Sequence, residues 1–135
     1  MEKSTLSPYG AFIGVRIDDC TKRKATCSVE LKKHHFNNGG RVHGGVLTSL
    51  ADTAAGAAVS TVRQKKKFTA TTDLSISFIR PPIGKKLIAL AEVIHAGKNL
   101  FRVEVEIFCS EKLVAKTNLT FMIVEAFNPG LGTKN

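Results

Sequence analysis

One short stretch of the chain places a histidine and two glycines ahead of a single carboxylate. Asp52 is the only acidic or basic residue in the segment 44–62, which follows His43 and begins with Gly44-Gly45. Helical periodicity predicts a helix over about 43–62. The first backbone N–H groups of a helix have no partner within it, so they can hold an oxygen that gains negative charge. Together with an acid two turns farther along the same helix, this arrangement is compatible with a hydrolytic site.

Helical spacing also predicts the surroundings of that acid. Its own face is predicted to carry small and polar residues, namely Gly45, Ser49, Gly56 and Val59. The opposite face is predicted to pack against a sheet through Val46, Leu50, Ala54 and Ala57. From the pattern alone a structural interpretation stays open. In that interpretation Asp52 is an exposed helix residue, Asn37–Gly40 is an ordinary turn, and His43 bonds nearby backbone.

Alternation of apolar and polar residues predicts six strands around this helix. Two precede it, at about 10–19 and 25–32, and four follow it, at about 68–80, 86–97, 99–110 and 112–124. The strand over 86–97 is apolar on both faces, which predicts a central strand buried on both sides. The order ββαββββ in 135 residues indicates one domain over 1–135, with a core at about 10–124 and a loose tail at 128–135.

The composition narrows the possible partners. A formal net charge of +9 favours an anionic partner: nucleic acid, an anionic membrane surface or a molecule that bears phosphate. No basic cluster is interleaved with aromatic residues and no nucleic-acid motif is present, so we expect no nucleic-acid partner. Three cysteines without CxxC spacing and four histidines without metal spacing predict no disulfide framework and no metal site. His34 and His35, beside Lys32-Lys33, are predicted to be solvated.

The N-terminus shows no secretory pattern, and the most apolar segment contains Asp52. These features predict a soluble cytoplasmic protein without membrane insertion.

The spacing of His35, Asn37, His43-Gly44-Gly45 and Asp52 resembles that of the hotdog-fold acyl-CoA thioesterases of the phenylacetate-pathway (PaaI-like) type. DLSISFIRPP and LVAKTNLTF, farther along the chain, resemble the same family. The likeness covers about residues 10–124. It implies an α+β hotdog fold, in which a curled antiparallel sheet wraps one long central helix, in agreement with the predicted order of elements.

The resemblance also implies catalytic roles. Backbone N–H groups of the Gly44-Gly45 region, with Gly44 favoured, would hold the thioester oxygen. Asp52 would act as nucleophile or as general base. Asn37, or Asn38 if the loop shifts, would position the thioester or the attacking water. His43 would orient or polarise the carbonyl, and the Thr71 hydroxyl would assist the water.

Further implications concern the substrate and the subunits. Arg80 and Gly97-Lys98-Asn99 are predicted to contact the nucleotide or diphosphate of coenzyme A, with Lys65–Lys67 and Lys85-Lys86 as weaker candidates. The resemblance implies a homodimer at least, and a homotetramer of paired dimers. Each site would be shared between the acid of one subunit and the asparagine–HGG loop of the other.

The predicted function is hydrolysis of an acyl-CoA to a carboxylic acid and coenzyme A, without metal or redox cofactor. The alternatives are a non-catalytic acyl-CoA-binding sensor and a hotdog enoyl-CoA hydratase or dehydratase.

Overall fold

The computed structural model describes residues 6–125, and the predicted loose tail at 128–135 lies outside them. In chain order the helices and strands are α1 (Pro8–Ile13), β1 (Val15–Thr21), β2 (Lys24–Glu30), α2 (Gly44–Ser60), β3 (Phe68–Phe78), β4 (Lys86–Ala96), β5 (Leu100–Cys109) and β6 (Lys112–Val124), with a 3-10 turn at Lys33–His35. The strands form one antiparallel sheet in the order β1-β2-β4-β5-β6-β3, which packs against α2. The predicted α+β hotdog architecture is confirmed.

The sheet packs against α2 through the face that the helical spacing predicted. Val46, Leu50, Ala54 and Ala57 are all buried. Because so many of the buried helix residues are alanines, the sheet approaches the helix backbone closely. The prediction was wrong for Val59, which is buried rather than on the open face. The β1–β2 turn lies against the end of α2, where the backbone N–H of Arg23 donates to Thr61 Oγ1 at 2.7 Å.

The prediction of a strand over 10–19 is wrong for the first half of this segment, which belongs to α1. Ser7 Oγ caps this helix by accepting the N–H of Gly10 at 3.0 Å, and proline follows the cap at the first helical position. Gly14, with φ at 95°, ends the helix in the left-handed conformation that glycine adopts readily. The serine-proline pair and the glycine were signals of a short helix, which the apolar alternation of the segment obscured.

A β-bulge in β3 decides which side chains face the helix. Thr71 lies opposite Phe121 and Asp73 lies opposite Thr120, so Thr72 is an extra residue in the strand. Beyond the bulge Leu74 and Ile76 are packed toward the core. Before the bulge the alternation of side chains between the two faces of the sheet is reversed, so Thr71 faces the helix. Bulges re-aim side chains in this way, often beside active sites.

The central strand β4 is buried on one face only, contrary to prediction. Leu87, Ala89, Ala91 and Val93 are buried, whereas Ile88, Leu90 and Ile94 are exposed on the chain taken alone. The exposed side chains lie on the outer face of the sheet, away from α2, and no other part of residues 6–125 forms a second layer over them. In β5 the apolar residues of the alternating pattern are buried, namely Phe101, Val103, Val105 and Ile107.

Two of the cysteines pack as small apolar side chains. Cys27 and Cys109 are buried, and Cys20 is half-buried. Burial, with smaller contributions from Cys20 and Asp18, raises the pKa of the Cys27 thiol to about 12, so this thiol stays protonated at neutral pH. Between residues 6 and 125 no helix is long and apolar enough to cross a membrane.

Candidate active site

The loop that precedes α2 is organised by the side chain of Asn37. Its Oδ1 accepts the backbone N–H groups of Gly39 at 2.9 Å and Arg41 at 3.1 Å. The Asn37 backbone N–H donates to the carbonyl oxygen of Arg41 at 2.7 Å. Because the loop occupies the amide oxygen, the NH₂ group is the part of this side chain left to donate to a ligand. The neighbouring Asn38 is exposed and takes no part in these bonds.

His43 caps the first turn of α2. Its Nδ1 accepts the backbone N–H of Gly45 at 2.8 Å, while its carbonyl oxygen accepts the N–H of Val46 at 2.9 Å. An acceptor Nδ1 carries no hydrogen, so the hydrogen of the neutral ring is on Nε2. The N–H of Gly44 has no hydrogen-bond partner among residues 6–125. Of the two glycine amides, Gly44 is therefore the free donor at the positive end of the helix dipole.

The same glycine lets an aromatic ring approach the start of the helix. A Cβ placed on Gly44 would lie 3.1 Å from the ring of Phe78 at the end of β3. Around this contact the loop, the helix start and the segment after β3 line an open pocket of about 330 Å³. Its lining residues are Asn37, Arg41, Val42, Gly44, Leu47, Phe78, Ile79, Arg80, Pro81 and Pro82. The pocket thus joins an apolar wall to the free Gly44 amide, Asn37 and Arg80.

Asp52 lies on the open face of α2, beside the β3 bulge. Thr71 Oγ1 donates a hydrogen bond to Asp52 Oδ1 at 2.8 Å. The acid is half-buried, as are Ser49 and Gly56, one turn before and after it. Because the hydroxyl holds one carboxylate oxygen, the other oxygen remains available to a ligand or a water molecule. The sequence had placed Thr71 at the site only through resemblance, and the bulge is what turns it toward the acid.

Within one chain the predicted residues fall into two groups. Asp52 follows Gly44 by eight residues, so the helix rise separates their backbones by about 12 Å. An oxygen held at Gly44 is therefore beyond the reach of the acid in the same chain. Asn37, His43, Gly44, Gly45 and Arg80 belong to the first group, and Asp52 and Thr71 form the second.

The predicted coenzyme A contacts are also separated. Ile79, next to Arg80, donates its N–H to Val114 O at 2.8 Å, near the start of β6. Asn99 accepts the N–H of Ile123 at 2.9 Å, near the end of the same strand. Nine strand residues span about 30 Å. Arg80 and the turn Gly97–Asn99 thus lie at opposite ends of the sheet, and a single chain does not bring them together.

Sequence reasoning missed the role of His35, which was predicted to be solvated. Its side chain is 2% exposed. Nδ1 accepts the N–H of Lys32 at 2.9 Å, and Nε2 is 2.7 Å from the carbonyl oxygen of Ile13, to which it donates. The His35 carbonyl oxygen accepts the N–H of His43 at 2.9 Å. The ring therefore ties the end of α1 to the loop that carries the site.

Other residues at the site gave no signal in the sequence. Neither Phe78, which is exposed at the end of β3, nor Arg41 was predicted to belong to a site, yet both line the pocket. Tyr9 of α1 reaches the open face of α2, where its hydroxyl is 2.9 Å from Ser49 Oγ. These contacts form because α1 packs against α2 and because the end of β3 lies beside the start of α2. Both are contacts between segments that are distant in sequence. No three His, Cys, Asp or Glu side chains within residues 6–125 are grouped so that they could hold a metal ion.

Fold and site together define a hotdog protein with a free backbone N–H at the start of its long helix and a carboxylate farther along the same helix. Residues 39–116 match the family model of the thioesterase superfamily, and the chain belongs to that superfamily. The resemblance stated from the sequence is confirmed at this level.

Individual relatives are similar over much of the chain. A protein of Halobacterium salinarum, whose name proposes an esterase, is 33% identical over 102 residues, which cover 72% of this chain and 67% of the relative. The medium/long-chain acyl-CoA thioesterase YigI of Escherichia coli is 24% identical over 132 residues, which cover 86% of this chain and 85% of the relative.

Solved structures share the fold. A conserved protein from Pseudomonas aeruginosa superposes with a TM-score of 0.84 at 31% identity, covering 87% of this chain and 94% of the other. A mutant of the phenylacetic acid degradation protein PaaI from Thermus thermophilus gives a TM-score of 0.78 at 24% identity, and the match covers 86% of this chain and 98% of the other. The PaaI-like fold inferred from the sequence is therefore present.

Proposed function

We propose that this protein is an acyl-CoA thioesterase that hydrolyses its substrate to a carboxylic acid and coenzyme A. The observation that carries the proposal is the free Gly44 amide at the head of α2 on the same helix as a carboxylate held by Thr71. A thioester carbonyl needs a donor for its developing oxyanion and an acid residue to deliver the nucleophile, and this helix offers both. Membership of the thioesterase superfamily and the named activity of the Escherichia coli relative support the same reaction.

Each of these residues has a separate role in the proposed hydrolysis. Gly44 N–H donates to the thioester oxygen, and the NH₂ of Asn37 donates to the same oxygen or to the attacking water. Asp52 either takes a proton from water as water attacks the carbonyl carbon, or attacks that carbon itself before water releases the acid. In the first route the C–S bond breaks as the tetrahedral intermediate collapses. In the second it breaks when Asp52 forms an acyl-enzyme anhydride, which water then hydrolyses. In both routes the thiolate of coenzyme A takes up a proton. Neither route uses a metal or a redox cofactor.

A site built this way needs two subunits, because about 12 Å of helix separates the acid from the oxyanion donor within one chain. The outer strand β3 supports a homodimer. It is 11 residues long, and most of its side chains are exposed in the single chain. An exposed edge of this length is a surface on which another strand pairs. Antiparallel pairing of two β3 edges places the Thr71 end of one strand beside the Phe78 end of its partner.

The same pairing brings the other predicted contacts to one end of the dimer. The turn Gly97–Asn99 of one subunit then lies at the same end of the assembly as Arg80 of the other. Both are candidates for the phosphates of coenzyme A, since Arg80 lines the pocket and Lys98 is exposed. The exposed outer face of β4, with Ile88 and Leu90, is a surface on which two such dimers could pack as a tetramer.

Thr71→Val is expected to lower kcat about ten-fold, because it removes a hydrogen bond to a charged group that fixes the carboxylate. Thr71→Ser, which keeps the hydroxyl, is expected to stay within a few-fold of the wild type. Steady-state kinetics on one acyl-CoA, with circular dichroism to confirm folding, makes the comparison. Equal losses in both variants would show that the hydroxyl does not hold the acid for catalysis.

The direct test of the function is release of free thiol from a panel of short, medium, long and aromatic acyl-CoA thioesters. Turnover of at least one of them is expected, and the Escherichia coli relative makes medium and long chains the first to try. Tight binding without turnover across the panel would favour a non-catalytic sensor. Loss of enoyl absorbance without thiol release would favour a hydratase.

A further inference from the structure

We infer that the end of the molecule where α2 stops is a docking surface for an anionic lipid membrane. Two features meet there: an exposed apolar strip on the outer face of the sheet, and lysines that border it. The apolar strip lies outside the pocket and the Asp52 site. Lys98 and Lys65–Lys67 are also candidate contacts of coenzyme A, but binding to vesicles does not require the proposed function.

The apolar strip consists of Phe68, Leu100, Met122 and Val124. Phe68 lies directly opposite Val124, and Leu100 lies directly opposite Met122. Met122 and Val124 are two residues apart on β6, so they project from the same face. Exposure is 51% for Phe68 and near 40% for the other three. The four side chains therefore form one continuous exposed apolar surface.

This strip faces away from the core. Phe101 and Phe121, which alternate with strip residues, are buried against the helix side of the sheet. The strip residues thus project on the outer face, which strand pairing at the β3 edge leaves uncovered. The proposed tetramer contact at Ile88 and Leu90 uses the same face but lies toward its other end, opposite Phe108 and Glu106. Ala70, opposite Met122, extends the apolar character along β3.

The lysines converge on the same end of the molecule from three turns. The segments 21–24, 61–67 and 96–100 contribute Lys22–Lys24, Arg63–Lys67 and Lys98, and they contain no carboxylate. The first two segments meet at the bond from Arg23 N–H to Thr61 Oγ1. The Arg63 guanidinium donates to the carbonyl oxygen of Lys67, which shapes the loop leading into Phe68. None of these lysines forms an ion pair within the part of the chain that the structure describes.

A bilayer with anionic headgroups fits both features. Lysines gain from the negative surface potential, and Phe, Leu, Met and Val side chains enter the boundary between headgroups and acyl chains. Four carboxylates lie on or beside the same face: Asp73, Glu92, Glu104 and Glu125. Five basic residues, Lys65–Lys67, Lys98 and the exposed Arg102, outnumber them. Nucleic acid fits less well, because three of the four strip residues are aliphatic and offer no plane on which a base could stack.

The test is sedimentation of the full-length protein with phosphatidylcholine vesicles that do or do not contain phosphatidylserine. Binding is expected only to the anionic vesicles, and it should weaken as salt rises. Each basic residue near such a surface strengthens binding about five-fold, so Lys65→Gln/Lys66→Gln/Lys67→Gln is expected to weaken it roughly 100-fold. Phe68→Ser/Met122→Ser tests the apolar strip and is also expected to reduce binding.

The matched control is Lys32→Gln/Lys33→Gln/Lys86→Gln, which removes the same charge at the other end of the sheet. This variant should bind nearly as well as the wild type. If both triple variants lost the same amount of vesicle binding, net charge alone would explain the binding, and the inference would be overturned. Tighter binding to a duplex oligonucleotide than to the vesicles would overturn it as well. So would a strip variant that changes the molar mass in solution but not vesicle binding, because the strip would then be a contact between copies.

Discussion

Asp52→Asn is expected to lower the rate of acyl-CoA hydrolysis by roughly 10²- to 10⁴-fold, the range that a general base contributes. The amide has the shape of the acid, but it can neither take a proton from water at neutral pH nor attack as a carboxylate. Its Oδ1 can still accept the hydroxyl of Thr71, which lies 2.8 Å from the acid in the structure. The variant should therefore fold and bind substrate while losing the chemical step.

The comparison for this variant is Asp19→Asn, which removes one exposed carboxylate from β1, at the far edge of the sheet. This control is expected to keep wild-type turnover. Thermal unfolding followed by circular dichroism checks that both proteins are folded. A folded Asp52→Asn protein with normal turnover would remove the acid from the mechanism.

Gly44→Pro is expected to lower kcat by about 10²- to 10³-fold, the effect of losing one oxyanion donor. Proline has no N–H, yet it is well tolerated at the first position of a helix, which Gly44 occupies. The preceding His43 already has the extended backbone, with φ at −65° and ψ at 134°, that a residue before proline prefers. The substitution therefore removes the donor and leaves the helix intact.

Gly44→Ala is the matched control for the side chain. Both variants add a Cβ close to the Phe78 ring, 3.1 Å away for an ideal Cβ, but alanine keeps the N–H. The loss of kcat in the alanine variant measures the effect of crowding the pocket. The additional loss of kcat in the proline variant measures the contribution of the Gly44 N–H. Equal rates for the two proteins would show that the Gly44 amide does not stabilise the transition state.

Much of this arrangement could be predicted because it depends on local periodicity. The apolar face of α2 and the alternation of β5 are set by residues close together in sequence, and the buried side chains Leu50 and Val105 are where the pattern placed them. The start of α2 at Gly44 followed from the same reasoning. The family resemblance supplied the roles that the pattern left open.

Other features could not be read from local pattern because they depend on distant contacts. The position of Thr71 beside the acid requires the bulge at Thr72, which only the pairing with β6 defines. His35 is buried because the end of α1 supplies a carbonyl oxygen for its ring, and the sequence suggested a strand there. The outer face of β4 had an apolar sequence but no covering layer, so composition alone overestimated its burial.

The central claim is that one active site is formed by two subunits, and a mixed dimer tests it most directly. Asp52→Asn and Gly44→Pro subunits, carrying different affinity tags, are co-expressed, and the dimers that hold one of each are purified. If the site is shared, one of the two sites is intact, and about half of the wild-type rate is expected although each parent is nearly inactive. A pure mixed dimer no more active than its parents would contradict the account, because it would place the donor and the acid of each site in the same chain.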